Sequence, residues 1–108
     1  MNVDLDALIQ FISEQFVFDE ERYPELKGVT DKERLVFAIR HSALHFSKTA
    51  GKIAAVSEDV DHGSDIDTEE LKKHISKSVI NALRLAELVG MNGEDLIMRI
   101  QGNEFHKE

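Results

Sequence analysis

Seven imidazole and cationic side chains fall into two rows whose spacing could bring them together. His41, His45, Lys48 and Lys52 sit at offsets 0, 4, 7 and 11. His74, Lys77, Asn81 and Arg84 sit at offsets 0, 3, 7 and 10. On an α-helix such offsets put each set along one face. Two facing seams of this kind would form a positive pocket suited to phosphate or another anion. Like charges held together repel, so such a pocket needs an anion or a carboxylate to be stable. The plainer alternative is that each seam is the solvated side of an amphipathic helix, where lysine is common.

Other chemistry is less well supported by the residue types. His41 and His45 form an i, i+4 pair, a spacing that can grip a metal. No third ligand is evident beyond His74, and Lys48 one turn away would repel a cation. Asp59, Asp61, Asp67 and Glu70 match positions 1, 3, 9 and 12 of a calcium-binding loop of the EF-hand type. Gly63 and Ser64 depart from that pattern at positions 5 and 6, so an acidic interhelical loop in which Asp67 caps the next helix is the competing reading. There is no cysteine, glycine-rich phosphate loop or GxSxG elbow. Phe11, Phe16, Phe18, Phe37 and Phe46 lie at helical positions and are expected in the core rather than on a base-stacking platform.

The chain that must position these groups has 108 residues, one domain's worth, with 42% hydrophobic residues. Its net charge of −8 disfavours general binding to nucleic acid or anionic membrane. No apolar run approaches the ~20 residues of a membrane span. Asp4 and Asp6 stand where a secretory signal carries Lys or Arg. With the lack of cysteine, this leads to an expected cytoplasmic location.

Helix signals dominate, and no strand alternation competes with them. A first helix is predicted over about 4–18, with Leu5, Leu8, Ile9, Ile12 and Phe16 as its apolar stripe. Pro24 and Gly28 mark a connection. A long second helix is predicted from Thr30, capped with the help of Glu33, to about Glu58. A third is predicted from about Asp67, with Glu70 in its capping pattern, to about Val89. Ile75, Val79, Ala82, Ala86 and Val89 line one of its faces, and Ile80, Leu83 and Leu85 widen it. Gly90 suits its end. A short fourth helix is predicted over about 94–100, with a frayed tail from about 102. The expected fold is one all-α domain, a bundle of about four helices. The apolar circumference of the second and third helices predicts completion by self-association, as a homodimer or a dimer of dimers.

Two stretches resemble the MazG-like family of all-α nucleotide pyrophosphohydrolases. His41 to Ala54 is similar to that family's first metal-binding helix, E-E-x-G-E-L-A. Glu70 to Glu87, followed by Gly90-Met91-Asn92, is similar to its E-L-x-D-V-L helix, R-L-A stretch and Gly-Ile-Asp turn. Arg84-Leu85-Ala86 fits that register. The resemblance spans about 60 residues and implies dimers and a site between the two helices. In the family, carboxylates there hold magnesium; here those positions fall on Thr49, Lys52, His74 and Lys77, with Lys48 at an adjoining glutamate position. Charged lysine has no lone pair to offer and repels a divalent cation.

The expectation is a MazG-like domain without metal-dependent catalysis and without a cofactor. It would be an oligomeric binding or regulatory protein for a phosphorylated small molecule, with His41, His45, Lys48, Lys52, His74, Lys77 and Arg84 as anion-site candidates. One alternative is an active nucleotide pyrophosphohydrolase, using magnesium and carboxylates such as Glu14, Glu20, Glu21, Glu58 or Asp61. The other is a calcium-binding interaction module on the 59–70 segment.

Overall fold

A computed structural model describes residues 4–102; the tail expected to fray lies almost wholly outside them. The helices are α1 (Leu5–Gln15), α2 (Asp31–Asp61), α3 (Thr68–Leu88) and α4 (Gly93–Gln101), with a 3-10 turn at Pro24–Leu26. There is no strand among the described residues, so the all-α expectation holds.

Local chemistry accounts for most helix ends. Thr30 Oγ1 accepts from the Glu33 N–H, and the Glu33 carboxylate accepts from the Thr30 N–H, a reciprocal box that starts α2. Asn92 and Asp95 make the same arrangement at α4. Asp67 caps α3 through the Glu70 N–H. At the end of α3, Met91 N–H donates to Ala86 C=O and Gly90 N–H to Glu87 C=O, with Gly90 at φ +81°. This double bond pattern satisfies carbonyls that the helix leaves open, and its left-handed residue favours glycine.

Two boundaries differ from the sequence expectation. Helix α1 stops at Gln15, because the backbone leaves helical angles at Phe16 (φ −122°, ψ 64°). That lets Phe18 join an aromatic cluster on α2, with Tyr23 at 5.2 Å and Phe37 at 6.1 Å between ring centroids. Helix α2 continues through Asp61 and ends where Gly63, at φ +95°, donates to Val60 C=O while Ser64 donates to Asp59 C=O. Asp59 and Asp61 therefore belong to the last helical turn, and the twelve-residue calcium loop does not form.

The two long helices make a hairpin. Lys48 and Lys52 of α2 share a cavity with Lys77 of α3, His41 and His45 share one with Arg84, and Asp31 and Arg34 share one with Leu88. Rising numbers on one helix meet falling numbers on the other, so α2 and α3 are antiparallel. Helix α1 packs on α3 through Ile9, Ile12 and Leu83, with Leu5, Ile80 and Leu96 around them. Gly93 N–H donates to Asp6 at 2.7 Å and ties α4 to α1.

The faces are turned against the usual amphipathic rule. Helix α2 buries Ala38, Ser42, Thr49 and Val56, and α3 buries His74, Leu83, Arg84 and Ala86. The apolar residues Val36, Leu44, Ile75, Val79 and Val89 are 45–64% exposed. Most of the α3 stripe predicted as core thus lies outside, and of the two polar seams His74 and Arg84 are buried while His45, Lys48, Lys52 and Lys77 are exposed. Phe11, Phe16 and Phe46 are also exposed, contrary to the core expectation, whereas Phe18 and Phe37 are half-buried.

Candidate functional site

The groove between α2 and α3 opens into two adjoining chambers that share Phe16, His45, Ile80 and Asn81. The outer chamber, about 380 Å³, gathers Lys48, Lys52 and Lys77 beside Thr49. All three lysines are exposed, and none makes an ion pair among the described residues. The inner chamber, about 220 Å³, is bounded by His41, Ser42 and Arg84, with Phe18 and Tyr23 on its aromatic side. No aspartate or glutamate lines either chamber, although the chain carries 21 acidic residues.

Arg84 is the most constrained cation. It is only 7% exposed, and its guanidinium carbon lies 4.1 Å from the Phe18 ring centroid and 5.4 Å from that of Phe16. The ring faces favour a cation in this position. Burial pushes the Arg84 pKa down from its ordinary value, against upward pulls from Tyr23 and Glu87. Its Nη1 is buried and has no hydrogen-bond partner within the protein, and the same is true of Ser42 Oγ. Buried polar atoms are normally paired because desolvating them costs about 1–3 kcal/mol, more for a charged group. Ser42 and Arg84 both line the inner chamber, so these two groups could serve a polar ligand there.

The imidazoles divide. His41 and His45 have their Nε2 atoms 3.1 Å apart, and the Tyr23 hydroxyl lies 3.3 Å from His41 Nε2. The His41 ring is stacked on Phe37 and meets Phe18 and Tyr23 edge-on. Burial holds the His41 pKa below its ordinary value, and the neighbouring His45 and Arg84 push the same way. His74 does not join the cleft. It is 3% exposed, and its Nε2 lies 2.9 Å from the Glu70 carboxylate one turn back. A histidine on the buried face finds this local acceptor more readily than a distant cationic seam.

The sequence-predicted residues Lys48, Lys52, Lys77, His45, His41 and Arg84 thus line one continuous cleft, and Thr49 sits within it, bonded to the His45 carbonyl at 2.9 Å. The acidic candidates lie elsewhere. Glu58 is 3.8 Å from His62, Glu14 bonds Gln10 at 3.0 Å, and Asp67 and Glu70 are engaged as described. Glu20, Glu21 and Asp61 line neither chamber. No group of three or more His, Asp or Glu side chains is placed to hold a metal among the described residues.

Sequence reasoning missed Ser42 and Tyr23. Ser42 could have been found, since with Ala38, Thr49 and Val56 it follows a four- and seven-residue spacing of small residues. Tyr23 lies in an aperiodic connection that carries no such signal. No protein-family model, curated protein or solved structure matches the chain.

Proposed function

We infer that this chain is an oligomeric binding or regulatory protein for a phosphorylated small molecule, held in the α2–α3 cleft. The single observation that carries the reading is a cleft lined by Lys48, Lys52, Lys77 and Arg84 and by no carboxylate, in a chain of net charge −8. Lysines at the mouth supply charge, and Arg84 with Ser42 supplies directional donors at the inner end. The resemblance to MazG-like proteins agrees with a ligand site between these helices. Lysines at two of those carboxylate positions, Lys52 and Lys77, argue for direct anion binding in place of magnesium-mediated binding.

Self-association belongs to the same reading. Among the described residues, sixteen large hydrophobic residues are exposed, while seven hydrophobic residues are buried. The outward faces of α2 and α3 carry Leu44, Ile75, Val79 and Val89, which a second copy would cover in a homodimer or a dimer of dimers.

The test is thermal denaturation with inorganic phosphate or pyrophosphate. Either anion should raise the melting temperature, by about 1.4 kcal/mol of stability at ten times Kd, and magnesium alone should not. The Lys52→Glu, Lys77→Glu double variant should lose the effect. No response to either anion would sink the reading. Magnesium-dependent release of pyrophosphate from a nucleoside triphosphate would replace it with the enzyme alternative.

A further inference from the structure

We propose that the cleft takes a ligand with two phosphoryl groups at opposite ends of an uncharged spacer, one held at Arg84 and Ser42 and the other among Lys48, Lys52 and Lys77. This inference rests on the anion-binding reading above and adds the class of ligand: a small molecule phosphorylated at both ends, in preference to one with a single phosphate or with adjoining phosphates.

The fixed cations of the cleft fall into two groups. Arg84 lines the inner chamber, Lys48, Lys52 and Lys77 line the outer one, and no lysine or arginine lines both. Lys77 and Arg84 stand seven residues apart on α3, as His41 and Lys48 do on α2. At about 1.5 Å of rise per residue, their backbones are separated by about 10 Å along each helix. Arg84 cannot close that gap, because its guanidinium is held against the Phe18 and Phe16 rings. The lysines are exposed on flexible stems and can adjust around a second anion.

The stretch between the two groups is chemically different from both ends. Phe16, His45, Ile80 and Asn81 line both chambers, and none of them is a carboxylate, lysine or arginine. Phe16 and Ile80 offer apolar surface, and the Asn81 amide can bond a hydroxyl or carbonyl group. These residues suit an uncharged spacer. The ends also differ in how they hold an anion. Arg84 Nη1 and Ser42 Oγ are buried donors on facing helices, with no partner among the described residues. They can direct bonds at one phosphoryl group, whereas the lysines act as point charges on the other. Glu87, which pulls the Arg84 pKa upward, lines the cavity on the other side and neither chamber of the cleft.

Calorimetric titration of the full chain with straight-chain α,ω-diphosphonates, from methane- to decane-diphosphonate, tests the span at constant ligand charge. Each is compared with the alkylphosphonate of the same length, which has the same apolar chain and one anionic group. The affinity ratio within each pair should peak at an intermediate length, near hexane-diphosphonate. It should exceed the ratio for the methane pair by about 10-fold or more, because a linked second contact is strongest when the linker matches the span. Lys48→Gln, Lys52→Gln, Lys77→Gln in one chain should flatten the ratio. Lys27→Gln, Lys32→Gln, Lys72→Gln change the net charge equally at positions that line neither chamber, and should keep the peak. Circular dichroism of both triple variants checks that the helices persist. A ratio that is flat or falls steadily with length overturns the inference while phosphate binding, and the reading it rests on, stand. A peak that survives the loss of Lys48, Lys52 and Lys77 also overturns it. If neither inorganic phosphate nor any phosphonate binds, the reading and the inference fall together.

Discussion

The Arg84 guanidinium carbon lies 4.1 Å from the centre of the Phe18 ring, a contact between α3 and the chain just beyond α1. It holds a buried cation at the cleft with one face covered by an aromatic ring and with Nη1 unpaired. Coulomb attraction to the ring does not replace a full hydration shell, so the unpaired donor is the group with most to gain from an anion.

The first prediction concerns this residue. Arg84→Met keeps most of the side-chain volume and removes the unpaired charge. Exchange of a buried charge for a well-packed apolar side chain is often neutral or stabilising, so without ligand the stability should change by no more than about 1 kcal/mol. The phosphate-dependent rise in melting temperature should disappear. A large loss of stability without phosphate would show that Arg84 serves the fold more than the cleft.

Solution mass should respond to the outward face of α3. Ile75 and Val79, 48% and 45% exposed, sit one turn apart. The Ile75→Lys, Val79→Lys double variant should be monomeric by light scattering at micromolar concentration while retaining its helical circular-dichroism spectrum. The wild-type chain should run as a dimer or larger. A wild-type monomer contradicts the assembly reading.

Two glycines should differ in what alanine does to them. A Cβ on Gly90 would meet nothing within 4 Å, but the residue sits at φ +81°. Gly90→Ala should therefore cost about 1 kcal/mol, from backbone strain alone. A Cβ on Gly93 would lie 2.9 Å from Asp6 Oδ1, the atom that accepts its N–H. Gly93→Ala should displace that carboxylate and loosen α1 from α4, with Asp6 amide and side-chain resonances moving in NMR spectra. Chemical denaturation ranks the two, and Asp6→Ala should make the Gly93 change less costly.

A pH effect follows from His41. Burial, then His45 and Arg84, lower its pKa in the folded chain from the ordinary 6.5, against a smaller upward pull from Glu25. Tyr23 also faces the ring. The unfolded chain then binds the proton more readily than the folded one. This contribution to stability is complete above about pH 6.5 and is lost as pH falls through 6.5 toward the lower folded value. Melting temperatures between about pH 7.5 and 5 should drop less steeply in His41→Gln than in wild type. Parallel curves would remove His41 as the cause.

The sequence by itself determined the helices and most of their ends. Thr30 with Glu33, Asp67, and Gly90 act on neighbours within three or four residues, so their effect is local and readable from spacing. The same spacing put Lys48 and Lys52 on one face and Lys77 and Arg84 on another, because azimuth around a helix is a property of that helix alone.

Tertiary structure decided which faces meet. Ser42 and Thr49 of α2 and His74 and Arg84 of α3 are buried, while Ile75, Val79 and Val89 are exposed. A preference for burying apolar stripes predicts the reverse, and nothing within one helix reveals that its apolar side can be left to face outward. His74 was drawn out of the cleft by Glu70, and Tyr23 was brought to His41 by an aperiodic connection. Both outcomes depend on how the chain returns through space. Periodicity specifies which side chains share a face, and only the packed chain specifies what that face meets.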